Sequence, residues 1–409
     1  MFSVLRTLNR RQRSACVASF LGWTLDAFDF FLLTFVISDI AKEFSTGIAN
    51  VAEAITLTLA MRPIGALIFG LLAERFGRKP VLMADILFYS ALELATAFST
   101  SIEMLLVFRA LFGIGMGGEW GLGASLALET IPSKARGIVS GILQQGYAVG
   151  NLLAAVTYWT IYDLIGWRGM FIVGVIPAFL VLYLRLKVEE SPVWEATRES
   201  RVRFFAALID SLRGRLPLFM YVIVLMACFN SLSHGSQDLF PTYLRVQHHL
   251  GPQAVGAITV FANFGAITGG VFFGALSEKI GRKRSIIAAA LLILPVVWIY
   301  SVASEPVLLA LGAFLVQSMV QGAWGMVPVH LNEISPEGTR GTFPGFTYQL
   351  GNLLASRNQY YQARFAASHG NNFGLAITVV SAGAALLLAL VTWRGPERKG
   401  VAFAGQKDT

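Results

Sequence analysis

Charge is scarce in this chain. Only 14% of its 409 residues are Asp, Glu, Lys or Arg, where a soluble domain carries about 25%. Cysteine is scarcer still. Cys16 and Cys228 both sit in apolar runs, which argues against a disulfide or a metal site and for two small buried hydrophobes. There is no phosphate-cradling G-x-x-x-x-G-K-[ST] and no H-E-x-x-H, so nucleotide-driven pumping within the chain is not expected. No nucleophile–base or metal arrangement stands out either. An enzyme is not expected, nor a cofactor, a metal ion or a nucleic-acid partner.

What the chain has is apolar length. Hydrophobic residues make up 55% of it. A membrane helix needs roughly 20 predominantly apolar residues. About twelve such runs follow one another, near 16–41, 51–73, 80–100, 103–128, 137–161, 167–186, 217–245, 253–277, 285–303, 306–331, 341–361 and 371–393. The first is too long for a cleaved signal and carries Asp26 and Asp29. The expectation is an all-α polytopic membrane protein of twelve transmembrane helices.

Lys and Arg set the orientation. Alternate connections carry Arg10 and Arg13, then Arg75, Arg78 and Lys79, then Lys134 and Arg136, then Arg185 to Arg215, then Lys279 to Arg284, Arg340 and Arg394 to Lys407. The intervening ones carry only Lys42, Arg168, Arg245 and Arg364. Both termini are therefore placed in the cytoplasm, with a basic face toward anionic lipid headgroups. The net charge of +8 needs no nucleic acid to explain it. A plasma membrane, and a bacterial inner membrane in particular, is the expected location.

One long polar interval, 187–216, divides the chain into a first bundle (1–186) and a second (217–409). The two resemble each other. Gly70-L-L-A-Glu74-R-F-Gly77-Arg78-Lys79 recurs as Gly274-A-L-S-Glu278-K-I-Gly281-Arg282-Lys283. Glu129 and Arg136 recur as Glu333 and Arg340, and Gly150-Asn151-Leu152-Leu153-Ala154 as Gly351-Asn352-Leu353-Leu354-Ala355. Three landmarks in the same order describe two parallel, pseudo-symmetric six-helix repeats with a substrate site between them near the midplane.

A polar stripe interrupts the seventh run. Asn230, Ser233, His234, Gln237 and Asp238 fall at i, i+3, i+4, i+7 and i+8, one face of a helix. His and Asp at that depth are costly unless they face a cavity or a partner.

These residues carry a family resemblance that spans the whole chain. The repeated Gly-Arg-Lys loops, Arg109-A-L-F-Gly113-I-Gly115 in the fourth run and Glu190-Ser-Pro-x-Trp194 after the sixth resemble the major facilitator superfamily. Glu74 and Glu278 stand where its signature more often has Asp, which keeps the charge. Asn230-x-x-Ser233-His234-x-Ser236-Gln237-Asp238-x-x-x-Thr242, with Asp26-A-F-Asp29 and Gly117-Gly118-Glu119, is similar to the lactate-permease type within the sialate:proton symporter family. The resemblance implies proton-coupled uptake of a small organic anion such as lactate or pyruvate, by rocking of two halves, in a monomer. A sialate or other organic-acid carrier is the alternative within that build. A transporter-shaped sensor is the alternative outside it, and that would add a long soluble extension.

The candidate site residues follow. Arg109, about a turn inside the outer end of its run, offers a planar fork to a carboxylate, and the resemblance implies that role. It could instead snorkel outward or pair with Asp26 or Asp29. Arg62 and Arg357 are weaker candidates of the same kind. Tyr147 and Asn151 in the fifth run, Gln349 and Asn352 in the eleventh, and Asn230, His234 and Gln237 in the seventh supply donors and acceptors for substrate, unless they serve only as polar contacts between helices. Asp26, Asp29, Glu119, His234 and Asp238 are the candidates to carry the proton. Glu74, Arg78, Glu129, Arg136, Glu278, Arg282, Glu333 and Arg340 are candidate gating charges on the inner loops. Gly113-x-Gly115-x-x-Gly118 matches the dinucleotide fingerprint in letters only. It lies inside an apolar run with no strand before it, and reads as small-residue helix packing. His248 and His249 read as loop surface rather than metal ligands.

Overall fold

The computed structural model describes residues 8–130, 133–186, 214–335 and 343–398. Most of the interval expected to link the bundles, 187–213, lies outside them. So do Arg340 and the side chains of Glu74, Glu129, Arg136 and Glu278.

Among the described residues the helices make twelve passes. Spans 1 to 4 are Arg10–Glu43, Ile48–Phe76, Arg78–Ala97 and Ile102–Thr130. Spans 5 and 6 run together as Ser133–Leu186, with the non-helical Gly166 between them. Span 7 is Leu216–Gln237 continued by Phe240–Val246, and span 8 is Pro252–Ile280. Span 9 is Arg282–Val297 with Ile299–Val302. Span 10 is Pro306–Trp324 with Val327–Ile334. Span 11 is Phe343–Ala355 with Asn358–Ser368, and span 12 is Phe373–Arg394. Eight described helical stretches are long and apolar enough to cross a membrane. Spans 5 and 6 count as one of these stretches, and spans 4, 9 and 11 are not among them. An even number of passes puts both termini on one side, here the terminal side; the opposite side is the distal side.

Backbone geometry repeats between the halves. Gly77 and Gly281 join spans 2 to 3 and 8 to 9 with nearly the same conformation, φ 105°, ψ 155° and φ 96°, ψ 161°. Only glycine adopts that region freely. A Cβ on Gly65 would overlap the Ile114 carbonyl oxygen, and one on Gly269 the Ser318 carbonyl oxygen. These are matching positions of the two repeats, so spans 2 and 4 touch backbone to backbone just as spans 8 and 10 do. The glycines of the false fingerprint do the same work. Gly113 lies against Thr58, Gly115 against Tyr89 and Gly118 against Phe69 and Asp85. Close approach of this kind is how helices gain packing where lipid offers no hydrophobic drive.

Span 1 packs on the continuous span 5–6 helix, and span 3 packs on span 4 and on that same helix; spans 7, 11 and 12 and spans 8, 10 and 9 form the matching set. The halves meet along spans 2 and 11 and along spans 5 and 8. Large apolar side chains such as Phe179, Val271, Phe272, Val307 and Trp393 point outward, as a bilayer-facing surface requires. The buried interior instead carries Asp, Glu, Arg, Asn and Gln. This is a multi-pass membrane protein with its polarity turned inward.

Candidate functional site

Among the described residues the first half buries seven charged side chains almost completely: Asp26, Asp29, Arg62, Asp85, Glu93, Arg109 and Glu119. Asp26 and Asp29 are three residues apart on one face of span 1, yet they belong to different groups. Asp26 feels the charges of Arg62 and Glu119. Asp29 feels those of Glu93, Arg109 and Asp26. Neither aspartate has a hydrogen-bond partner among the described residues.

Arg109 was expected to snorkel, to meet Asp26 or Asp29, or to await a substrate carboxylate. Its partner is instead Glu93 of span 3: Nη1 lies 2.6 Å from Oε2, with both side chains fully buried. The guanidinium also stacks 3.9 Å from the Phe112 centroid and 5.9 Å from that of Phe171. Spans 1, 3, 4 and 6 thus surround it, and its head is turned into the first bundle. Glu93 belongs to no motif. The signal that could have found it was a lone carboxylate in the apolar third run.

Arg62 is the guanidinium that reaches the second half. Its Nη2 donates to the Met116 thioether at 2.9 Å, a weak acceptor, and its Nε is unbonded. It sits 5.4 Å from the centroid of Phe30, which also lies 5.6 Å from the His234 ring of span 7. The Tyr348 phenol of span 11 interacts with both Arg62 and Asn352. No ion pair of the described residues uses Arg62. Asp26 is the carboxylate whose charge acts on this fork, and a planar guanidinium with no ion pair is chemically able to take a further carboxylate.

The second half answers with the stripe of span 7. Asn230, Ser233, His234, Gln237 and Asp238 are all buried. His234 Nδ1 lies 2.9 Å from Asp238 Oδ2, and Gln359 Nε2 donates to that same oxygen at 2.6 Å. Asp238 is also where the first segment of span 7 ends. The second segment of span 11 stitches this break shut, since Asn358 donates to the Ser231 carbonyl and Gln362 to the Gly235 carbonyl. These three span 11 partners were not singled out from sequence. Gln237 Nε2 donates to Ser233 Oγ at 3.1 Å and across the interface to the Tyr147 hydroxyl at 3.4 Å. Asn352 Nδ2 donates to Gln349 Oε1 at 3.0 Å, and both residues are buried. Arg62, Tyr147, His234, Gln237 and Asn352 therefore converge, while Asn230 is buried with both amide atoms unbonded.

Aromatic rings crowd the terminal side of this centre. Trp23 packs on Tyr147 and Trp120, Trp120 on Tyr348 and Tyr348 on Trp324. On the distal side two ion pairs cross between halves. Arg245 of span 7 holds Asp39 of span 1, and Arg357 of span 11 lies 3.4 Å from Glu53 of span 2. Arg357, a weaker substrate candidate on sequence grounds, is thus half-exposed at the distal rim. Among the expected gating charges, Arg282 lies 3.4 Å from Glu333 and donates to Ser277 Oγ at 2.6 Å. The described residues contain no cluster able to hold a metal ion.

Comparison with known proteins agrees with this architecture. The sequence matches the Major Facilitator Superfamily model over residues 19–356. It is 28% identical over 389 residues to the sialic acid transporter NanX of Escherichia coli K12, covering 94% of each chain. It is 28% identical over 400 residues to a carboxylic acid transporter protein homolog of Saccharomyces cerevisiae, covering 91% of this chain and 64% of that one. Among solved structures, the xylose transporter XylE from E. coli aligns with a TM-score of 0.79 at 19% identity, over 97% of this chain and all of that one. That last likeness concerns the fold.

Proposed function

The chain belongs to the major facilitator superfamily of membrane transporters, and on that premise we propose that it is a proton-coupled symporter of small organic anions working by alternating access. The substrate reading is a monocarboxylate such as lactate or pyruvate. The single observation behind it is Arg62, a fully buried guanidinium that makes no ion pair among the described residues and whose polar partners include the Met116 thioether and the Tyr348 phenol. A buried cation is costly without a partner, and a substrate carboxylate would supply one. Tyr147, Gln237, His234, Gln349 and Asn352 stand around it as the remaining polar contacts. Asn230 and Asn151 complete that set.

The proton reading rests on span 1. Asp26 shares Arg62 with any arriving anion, so substrate binding would relieve Asp26 of its cation and favour protonation. Asp29 stands in the same relation to Arg109 and Glu93. The His234–Asp238 pair and Glu119 are the further carriers. We place the terminal side in the cytoplasm, following the lysines and arginines, and read the distal ion pairs as the bonds that hold the outer path closed. The eight inner-loop charges, with Arg282–Glu333 as their described pair, close the inner path in the opposite state.

A sialate-type acid is the second reading, favoured by the match to NanX along nearly the whole chain. The deciding measurement is uptake of labelled lactate, pyruvate and sialate into proteoliposomes with and without an imposed pH gradient. Concentrative lactate uptake driven by the gradient supports the first reading, and sialate uptake without lactate uptake selects the second. Flux indifferent to the gradient would remove proton coupling, and absence of flux for all three acids would overturn the proposal.

A further inference from the structure

Gly174 of span 6 has two carboxylic side chains against it. A Cβ at this glycine would lie 3.1 Å from Asp29 Oδ1 and 3.4 Å from Glu93 Cγ. Asp29 of span 1 and Glu93 of span 3 therefore meet over bare backbone. Arg109 of span 4 completes the group. Its Nη1 is spent on Glu93 Oε2, while Nε and Nη2 make no hydrogen bond. Phe112 and Phe171 cover its guanidinium. All three ionisable side chains are fully buried.

The charges acting on Asp29 are those of Glu93, of Asp26 on its own helix and of Arg109. Span 6 meets the group with Gly174 and Phe171. Arg62 of span 2 and Tyr147 of span 5 act on Asp26 instead. One guanidinium balances one carboxylate. With Glu93 ionised on Arg109, an ionised Asp29 is a surplus negative charge with neither oxygen hydrogen-bonded, a costly state in a buried site. A proton on Asp29 removes that charge. Without Glu93 the balance reverses, because an uncompensated guanidinium beside a carboxylate favours its ionised form.

We propose that Glu93 is a positioning residue for the transported proton: by occupying Arg109 as a resident carboxylate, it keeps the proton on Asp29. It does at Arg109 what an arriving substrate anion does at Arg62, so Asp29 is loaded whether or not substrate is present. When the proton leaves for water, the Asp29 carboxylate falls to the spare Nε and Nη2 of the same guanidinium. Its return breaks that contact. The inference rests on the proton-coupled reading given above.

The test is an infrared titration of the purified full-length protein without substrate, following the carbonyl stretch of protonated carboxyl groups. The Asp29 band is the one missing from Asp29→Asn. Glu93→Gln strips Arg109 of its counter-ion and is expected to move the loss of that band at least about one unit toward acid pH, a tenfold fall in proton affinity. Arg109→Gln leaves Glu93 unbalanced beside Asp29 and is expected to move it about as far toward alkaline pH. The two variants predict opposite signs, so either one decides the matter if the other fails to fold. A midpoint unmoved in either folded variant overturns the inference, and so does a spectrum that Asp29→Asn leaves unchanged. If the band shifts as expected but uptake by the unaltered protein ignores an imposed pH gradient, the proton-coupled reading falls while the hold of Glu93 on Asp29 stands.

Discussion

Arg109 and Glu93 form an ion pair of 2.6 Å with both side chains fully buried, so the strongest intramembrane cation of the sequence is satisfied by the protein itself. Breaking a buried pair by removing one partner costs about 3–5 kcal/mol. Glu93→Ala and Arg109→Ala are each expected to lower the thermal midpoint in detergent. The double variant should lie closer to the parent than either single one. Additive losses in the double variant would show that the two side chains do not depend on each other.

Arg62 behaves differently in this scheme. Its described neighbours are a thioether, two phenols, a phenyl ring and the Asp26 carboxylate. Arg62→Lys keeps the charge and loses the fork, and is expected to raise KM for the transported acid by about tenfold, roughly 1.4 kcal/mol. Thermal stability should change little. A lysine variant with unaltered KM would move the carboxylate elsewhere.

The two aspartates of span 1 can be separated by exchange experiments. Asp26→Asn removes the carboxylate beside Arg62, and Asp29→Asn the one beside Arg109 and Glu93. The variant of the proton carrier should still exchange labelled substrate for unlabelled substrate, yet fail to concentrate it under a pH gradient. If both variants concentrate substrate normally, the proton travels by Glu119 or by the His234–Asp238 pair.

The distal pairs join the halves where side chains are only partly buried. Arg245 and Asp39 are 20% and 21% exposed, and Arg357 is 51% exposed. Partly exposed pairs contribute up to about 1 kcal/mol, a shift of about fivefold in a two-state equilibrium. Asp39→Asn with Glu53→Gln should therefore increase distal access, measured as thiol labelling of a cysteine placed beside the interface. Reversing one pair, Asp39→Arg with Arg245→Asp, should restore the parent rate. Unchanged labelling in the uncharged variant would deny the pairs a closing role.

Glycine at the repeated loops is a backbone requirement. Gly77→Ala and Gly281→Ala place a side chain at φ 105° and 96°, at a cost of about 1–3 kcal/mol each. Gly70→Ala, at a helical position with nothing within 4 Å of the added methyl, is the control and should be neutral. Thermal unfolding in one detergent compares all three.

How much of this was legible beforehand varies by residue. Hydropathy placed all twelve passes, missing their ends by a few residues. The recurrence of Gly77 as Gly281 disclosed the repeat, and both then took one conformation. The i, i+4 spacing of His234 and Asp238 anticipated their contact. It did not anticipate Gln359 on the same carboxylate, because that residue lies 121 positions away on another helix.

The order of residues by itself determined the number of membrane passes, their duplication and the polar stripe of span 7. Each is a local matter of apolar length, glycine geometry or helical period. Only the tertiary structure decided that Arg109 answers to Glu93, that Arg62 looks across to the second half, and that Asp29 meets Glu93 beside Gly174. A helix's sequence fixes which residues share a face, while the rotation of that face toward a given neighbour is set by packing among all twelve passes.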